Sequence, residues 1–311
     1  MDKQPLPILR IPKDKVLEQF PLPDGIVAPD NTDIFFENGK SEKETFKDFS
    51  MFKECGFHEP ETLYLCPINL ELYEDSEISV LEVIEHVSNW CFPSPVIFQW
   101  NHDTDFASKY QETERYANAV ILNSNTSKPI RNDIVIPYWN INTEYISEKP
   151  EFFAGLVGSL DTQLRNKLAS TIAGKHGYVQ TRLSYEQYLR TMAKCMFSFC
   201  PRGQGIRSKR FYECMHLSTI PVLIADDIVL PYQDEIDYDL ICIRIPESKA
   251  DDFEFIDDKL RSVNINHMLN RKRGLREKFT LLGAQKKIHE ELYDYVTHQA
   301  RINEDQKIRV F

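Results

Sequence analysis

Apolar runs that end in polar or proline-bearing stretches recur along the chain. TDIFFENG (residues 32–39), ETLYLCPI (61–68), PVIFQW (95–100), AVILNSN (119–125) and DIVIPYW (133–139) each predict a short buried strand. Between residues 78 and 90, Ile78, Leu81, Val83, Ile84 and Val87 fall at helical spacing and predict a helix. Residues 1–30 carry six prolines and few periodic apolar positions, which reads as an extended lead-in over the surface. Residues 140–150 are polar, end in Pro150, and form the candidate linker. A second series follows: strand EFFAGLVGS, helix DTQLRNKLASTIAG, helix SYEQYLRTMAKC, strand MFSFCP, helix SKRFYECMHLS, strand IPVLIAD and strand DYDLICIRIP. From Asp251 onward the pattern is helical and highly charged. Strands alternating with helices imply mostly parallel sheets covered on both faces, hence an α/β protein. The expected division is residues 1–145 and 146–311, two doubly wound, Rossmann-like domains facing a cleft. Ligands of such sheets sit at the carboxyl ends of the strands, where the strand order reverses.

The length of 311 residues suits two domains. Hydrophobic residues at 42% and charged residues at 27% exclude disordered, collagen-like and membrane-bundle classes. With 37 Lys+Arg against 48 Asp+Glu, the net charge of −11 argues against a nucleic-acid partner, which would need a cationic face. No uncharged apolar stretch reaches the roughly 18 residues of a membrane span, and the first residues lack the apolar core of a secretory signal. The expectation is a soluble, cytoplasmic protein with no membrane span. Seven cysteines form no C-x-x-C pair and have no histidine at zinc-site spacing. Most stand in apolar runs, as buried structural thiols do.

The chemistry concentrates in FSFCPRGQGIRSKRFYECMHLSTIPVLIADD, residues 197–227. A buried strand ends at Pro201, a loop holds Gly203 and Gly205, and a helix opens near Ser208. Glycines before a helix start leave N–H groups free for an anion. Arg202, Arg207, Lys209 and Arg210 add four cations in a chain of negative net charge. Glu213, three residues after Arg210, can accept from the paired hydroxyls of a sugar. The alternative is a solvated helix start in which Glu213 pairs with Arg210.

C-P-R-G-x-G-x-x-S-x-R-x-x-E, followed by IPV and D-D-x-x-L-P, resembles the hallmark of exostosin-like glycosyltransferases, glycosyltransferase family 47. DIVIPYWN…FFAGLVGS…R resembles that family's "VIPP…FFAG…R" stretch, and LICIRIPES its following strand. The resemblance spans about residues 98–246, is strongest over 197–231 and is weak over the first ninety residues. It implies a GT-B architecture, with a UDP-sugar donor held mainly by the second domain. It also implies inversion at the anomeric carbon and no required cofactor or metal. An oligosaccharide or glycoprotein glycan would be the acceptor. By position, Arg210 would meet the diphosphate and Glu213 the ribose. Ser208 and the amides from Gly203 to Arg207 would line the phosphate site, and Arg202 would reach the diphosphate or the sugar. Gly155 and Gly158 would form the opposing turn, with Ser159 at the next helix start. Asp226 and Asp227 would face donor hydroxyls or cap the turn after them. Eukaryotic members usually carry an N-terminal Golgi anchor, which these first residues do not resemble; a soluble microbial or viral type is implied. The family's E-A-x-x-x-G-C-I-P-V here reads with Cys214, Ser218 and Thr219.

An inverting transfer needs a base to take the acceptor's proton. FQWNHDTDF (residues 98–106) resembles the family's H-D-x-G element, with Thr104-Asp105 in place of a clear glycine. His102, Asp103 and Asp105 are the candidate bases, Asp103 foremost; turn formation is the other reading. Glu71, Glu74 and Asp75 form a second set. Tyr138 and Trp139 are candidates for stacking on a sugar or for the core. RKRGLREK (residues 271–278) reads as a solvated helical face. Two rival functions remain: a catalytically silent glycan-binding or chaperoning subunit, and a cation-dependent transferase using Asp103 and Asp105.

Overall fold

The computed structural model describes residues 8–22 (without 12), 26, 63–66, 70–91 (without 75), 94–100, 106–110, 118–123, 126–127, 133–138, 141, 144–175 and 177–308, the side chains of 8–10, 71, 107 and 296–308 excepted. The strand expected over residues 32–39 lies outside these. Two five-stranded sheets organise the chain, and every pairing in both is parallel.

The first sheet runs β1 (Ile8–Arg10), β2 (Leu63–Leu65), β3 (Val96–Trp100), β4 (Ala119–Asn123) and β5 (Asp133–Val135), in that spatial order. α1 (Lys13–Gln19) follows β1, α2 (Val80–Cys91) precedes β3, and the short α3 (Phe106–Lys109) follows it. The proline-rich start is therefore not only a surface lead-in. Ile8–Arg10 pairs with β2, and Ile11 and Val16 reach the core.

Because side chains alternate across a strand, β2, β3 and β4 each feed two cores. Tyr64, Val96, Phe98 and Ile121 pack with Val83, Ile84 and Val87 of α2 on one face. Leu63, Leu65, Ile97, Val120, Leu122 and Ile134 face the other way.

The second sheet comprises β6 (Phe152–Val157), β7 (Gly177–Gln180), β8 (Cys195–Pro201), β9 (Ile220–Ile224) and β10 (Ile243–Ile245), in the order β10-β9-β8-β6-β7. Its helices are α4 (Gln163–Ile172), α5 (Tyr185–Ala193), α6 (Lys209–Cys214), α7 (Phe253–Arg261) and α8 (Ile265–Leu275). α5 opens with a capping box between Ser184 and Gln187. Three elements depart from the periodic pattern. β7 is a half-buried edge strand without an apolar run. α6 stops at Cys214, well short of residue 218. The run 237–246 divides into a short 3-10 turn (Tyr238–Leu240) and β10.

The first sheet ends at Val135 and the second begins at Phe152. Between them the linker is pinned rather than free. Ile146 donates its amide to His216 O (3.0 Å) and accepts from the Ser218 amide (3.0 Å). The last helix, α9 (Leu281–Ile308), returns to the first sheet: Ile288 and Leu292, both 0% exposed, close the face made by Leu63, Leu65, Ile97, Val120, Leu122, Ile134 and Ile136. Truncating Leu292 to Ala leaves a cavity against strands far away in sequence. It should lower unfolding free energy by about 2–5 kcal/mol in urea titrations; an unchanged midpoint would show that α9 does not hold the first sheet.

Candidate functional site: the switch point of the second sheet

From β6 the chain crosses to β7 on one side, then returns to β8 on the other, so strand order reverses between β6 and β8. The loops leaving the carboxyl ends of these two strands diverge there, opening a crevice of the kind that takes ligands. Gly158, at the end of β6, has φ +108°. A Cβ at that position would stand 2.8 Å from Arg210 Nη2 and 3.3 Å from Tyr188 Cε2. Glycine is needed here twice over, for its backbone and for the room it gives the guanidinium.

Arg210 is 6% exposed and donates from Nη2 to Ser159 O (2.9 Å), spanning from α6 to the loop after β6. Its Nη1 and the Ser208 hydroxyl are both buried without a hydrogen-bond partner. Ser208 occupies the N-cap position of α6, yet its side chain makes no cap bond. Arg165, on α4, approaches the same loop. It donates from Nε to Arg202 O (3.2 Å) and from Nη1 to Ser159 Oγ (3.0 Å), and it pairs with Asp161. Burial, and then the like charge of Arg210, hold its guanidinium below the usual arginine value. Two arginines thus converge on the turn after β6, and buried donors beside them point at no acceptor.

Glu213, 2% exposed, lies one helical turn beyond Arg210. Both of its carboxyl oxygens are taken by tyrosines of α5: Tyr185 donates to Oε1 (3.0 Å) and Tyr188 to Oε2 (2.5 Å). Burial, then the neighbouring Glu213, push the Tyr188 phenol well above its ordinary value, so it stays a donor. Lys209 Nζ is 3.9 Å from Glu213 Oε1. Gly158, Ser159, Arg182, Leu183, Tyr185 and Tyr188 contribute to the lining of an open cavity of about 650 Å³.

The other residues expected at the site are distributed around this centre. Gly155 lies inside β6, not in the turn; a Cβ there would collide with Cys195 Sγ, so its role is strand packing. Ser159 is in the loop, three residues ahead of the Thr162 that caps α4. Arg202 is held by Glu247 (2.6 Å) and lines a second cavity of about 490 Å³ with Asp161, Thr162, Gly203, Gln204 and Glu247. The Gly203 amide donates to Arg207 O (3.2 Å), which closes the loop internally, and Gly205 is buried. Arg207 and Lys209 both stand over the ring of Tyr138, at 4.9 and 5.6 Å, so that ring packs against the loop. Asp226 accepts from the Glu247 amide (2.8 Å), which ties β9 to the turn after β10. Asp227 is exposed. Glu74 is gripped by Lys109 and Tyr110 and serves as an internal ion-pair partner. His102, Asp103, Asp105, Asp75 and Trp139 lie outside the described residues, as does the side chain of Glu71.

Tyr185 and Tyr188 are not among the residues that the sequence pattern singles out, and Arg165 enters it only as the arginine that follows FFAGLVGS. The tyrosines are three apart on a predicted helix and so share a face, a signal that was present in SYEQYLR.

Beneath the site, the carboxyl end of α6 is anchored by Lys272 of α8. This lysine is 2% exposed; it donates to the carbonyls of Cys214 and Leu217, and burial lowers its pKa to about 8. The expected solvated face of residues 271–278 therefore holds one cation that is internal. His216 Nε2 meets Phe279 O at 3.1 Å. A carbonyl can only accept, so Nε2 carries the proton, and Nδ1 is buried without a partner. The six described cysteines are buried free thiols, with Cys200 and Cys214 at 3.7 Å.

Residues 85–260 match the Exostosin GT47 domain. A "probable glucuronosyltransferase" of Oryza sativa subsp. japonica is 38% identical over 88 residues, 28% of this chain and 20% of that protein. A "probable beta-1,4-xylosyltransferase" of Arabidopsis thaliana is 35% identical over 88 residues, with the same coverage. The chain thus spans about a fifth of the length of the curated relatives it matches. Among solved structures, the pneumococcal O-GlcNAc transferase GtfA in complex with UDP and GlcNAc is 10% identical. It covers 80% of this chain and 59% of its own, with a TM-score of 0.46. AviGT4, a glycosyltransferase involved in avilamycin A biosynthesis, is 11% identical over 94% of this chain and 99% of its own, with a TM-score of 0.43. Among the described residues, no helix is long and apolar enough to cross a membrane.

His216 makes the stability of this region depend on pH. Burial pushes the ring's pKa from 6.5 down to about 4. Above pH 6.5 it is neutral in both the folded and the unfolded chain. Between 6.5 and about 4 only the unfolded chain takes up the proton, so stability falls as pH falls, by about 3 kcal/mol when complete. Urea midpoints for the native protein and His216→Gln should therefore converge from pH 7 to pH 4.5. A constant gap would mean that the ring is not held neutral.

Proposed function

The chain belongs to the exostosin GT47 family, and from that premise we propose that it is an inverting, metal-independent glycosyltransferase that moves a sugar from a UDP-sugar to a glycan hydroxyl. The observation that supports this most directly is the pair of buried donors without acceptors, Arg210 Nη1 and Ser208 Oγ, at the switch point between β6 and β8. An unpaired guanidinium N–H in the interior is unfavourable, and a diphosphate oxygen satisfies it with a charge-assisted bond. α6 is only six residues long, so the side chains, rather than the helix dipole, supply most of the attraction. In this reading Arg210 and Arg165 offset the charge that builds on UDP as the glycosidic bond breaks, the task a divalent cation performs in other transferases. Glu213, on the same helix as Arg210, takes the ribose hydroxyls, and the base occupies the adjoining cavity at Leu183 and Tyr185.

The acceptor oxygen attacks the anomeric carbon from the face opposite UDP, and a base removes its proton as the bond forms. Asp103 is the proposed base, with His102 and Asp105 beside it in sequence.

Two measurements test these roles separately. Arg210→Ala should weaken UDP binding by about 1.5–3 kcal/mol in calorimetry; unchanged affinity in the folded variant would remove the diphosphate from this site. Asp103→Asn should lower turnover by roughly 10²–10⁴ with UDP affinity unchanged. Near-normal turnover would pass the role to Asp105. Activity that persists in chelator is the accompanying expectation, and its loss would reassign Asp103 and Asp105 to a cation.

A further inference from the structure

Glu213 cannot receive a ribose as it stands. It is 2% exposed, both of its oxygens accept tyrosine hydroxyls, and Lys209 Nζ stands 3.9 Å from Oε1. Each oxygen keeps a second lone pair, but at 2% exposure a ligand reaches it only if a neighbouring side chain moves aside. The two tyrosines are not equivalent. Tyr188 is one turn inside α5, makes the shorter bond at 2.5 Å, and is largely buried beside Arg210. Tyr185 is the first residue of α5; it is 46% exposed on the cavity rim and bonds at 3.0 Å. Its ring lies 6.0 Å from that of Tyr188 at an interplanar angle of 24°, with Lys209 at 5.4 Å on it.

We propose that Tyr185 is a stand-in for the ribose: its hydroxyl occupies Glu213 Oε1 in the free protein and is displaced by a ribose hydroxyl of the incoming nucleotide. Tyr188 keeps its bond throughout and holds the carboxyl group in place, as a positioning residue. The physical reason is the cost of leaving a buried carboxyl oxygen without a donor. With Tyr185 in place, Glu213 is satisfied in both states, so the folded protein is not destabilised while the site is open. The exchange trades one O–H donor for another, which makes the contribution of the ribose to affinity smaller than a vacant acceptor would give. Tyr185 therefore limits how strongly the site distinguishes a ribonucleotide from a deoxynucleotide.

This inference rests on the assignment of Glu213 to the ribose, and calorimetry separates the failure of one from the failure of the other. Tyr185→Phe keeps the ring and removes the competing hydroxyl. It should bind UDP about 2- to 10-fold more tightly, the range expected for the net worth of one hydrogen bond, and should bind 2′,3′-dideoxyuridine diphosphate with unchanged affinity. The gain for UDP should vanish when Glu213→Gln is added. If Glu213→Gln alone weakens UDP binding but Tyr185→Phe does not tighten it, the displacement is wrong and the ribose assignment stands. If Glu213→Gln leaves UDP affinity unchanged, the ribose is elsewhere and both ideas fall. An equal gain for the dideoxy compound would show that the hydroxyl merely crowds the cavity, and would overturn the proposal.

Discussion

A guanidinium taken out of water must find acceptors or a counter-charge, and Arg210 imposes that condition on the whole second unit. Gly158 has no side chain because Arg210 needs the volume. The loop after β6 turns so that Ser159 O meets Nη2. Arg165 adds a second positive charge to the same turn, and Asp161 pairs with it directly. Glu213 is fixed relative to Arg210 because one short helix carries both. That helix is held at its far end by a buried ammonium from α8. The result is a rigid spacing between a cationic locus and a carboxyl group, set before any ligand arrives.

What the sequence disclosed follows from what each feature depends on. Elements defined by their own residues were legible: Val96–Trp100, Ala119–Asn123 and Val80–Cys91 lie within two residues of where the apolar spacing put them. β1 and β7 were not. Ile8–Arg10 is three residues long in a proline-rich setting, and GYVQ is an edge strand that a neighbouring strand holds in place, with no apolar run of its own. The anchoring of α6 by Lys272 was equally hidden, since RKRGLREK has the composition of a solvated face and only the tertiary fold turns one of its side chains inward. Arg210, Ser208 and Glu213 could be grouped from the sequence as candidates because loop chemistry and spacing are local. Arg202 and Arg207 have the same local signature, yet Glu247 and Tyr138, distant in sequence, draw them elsewhere. Gly155 illustrates the same limit, for a glycine can serve a turn or a close side-chain approach, and Cys195 decides which.

The two sheets also meet through specific groups. Tyr138, just beyond β5, lies under Arg207 and Lys209 and 6.5 Å from the ring of Tyr212. The Val229 amide donates to Thr126 O (3.0 Å), so the turn after β9 touches the segment after β4. The glycine loop thus leans on an aromatic side chain of the first unit. A change at Tyr138 would be felt by cations that sequence alone would assign wholly to the second unit.

The return of α9 to the first sheet bears on how the protein is made. Translation delivers the chain from its amino end, so β2 to β5 emerge long before Ile288 and Leu292, the residues that cover one of their faces. Until then the contacts that Ile288 and Leu292 make to this face are missing from the nascent chain, and transiently exposed apolar surface is prone to non-native association. The second unit, whose buried core clusters run from Ala154 to Phe279, also draws on α9, since Gly283 O accepts from the Tyr232 hydroxyl and Lys287 pairs with Glu235. The half that leaves the ribosome first therefore cannot close this face until nearly the whole chain has been made.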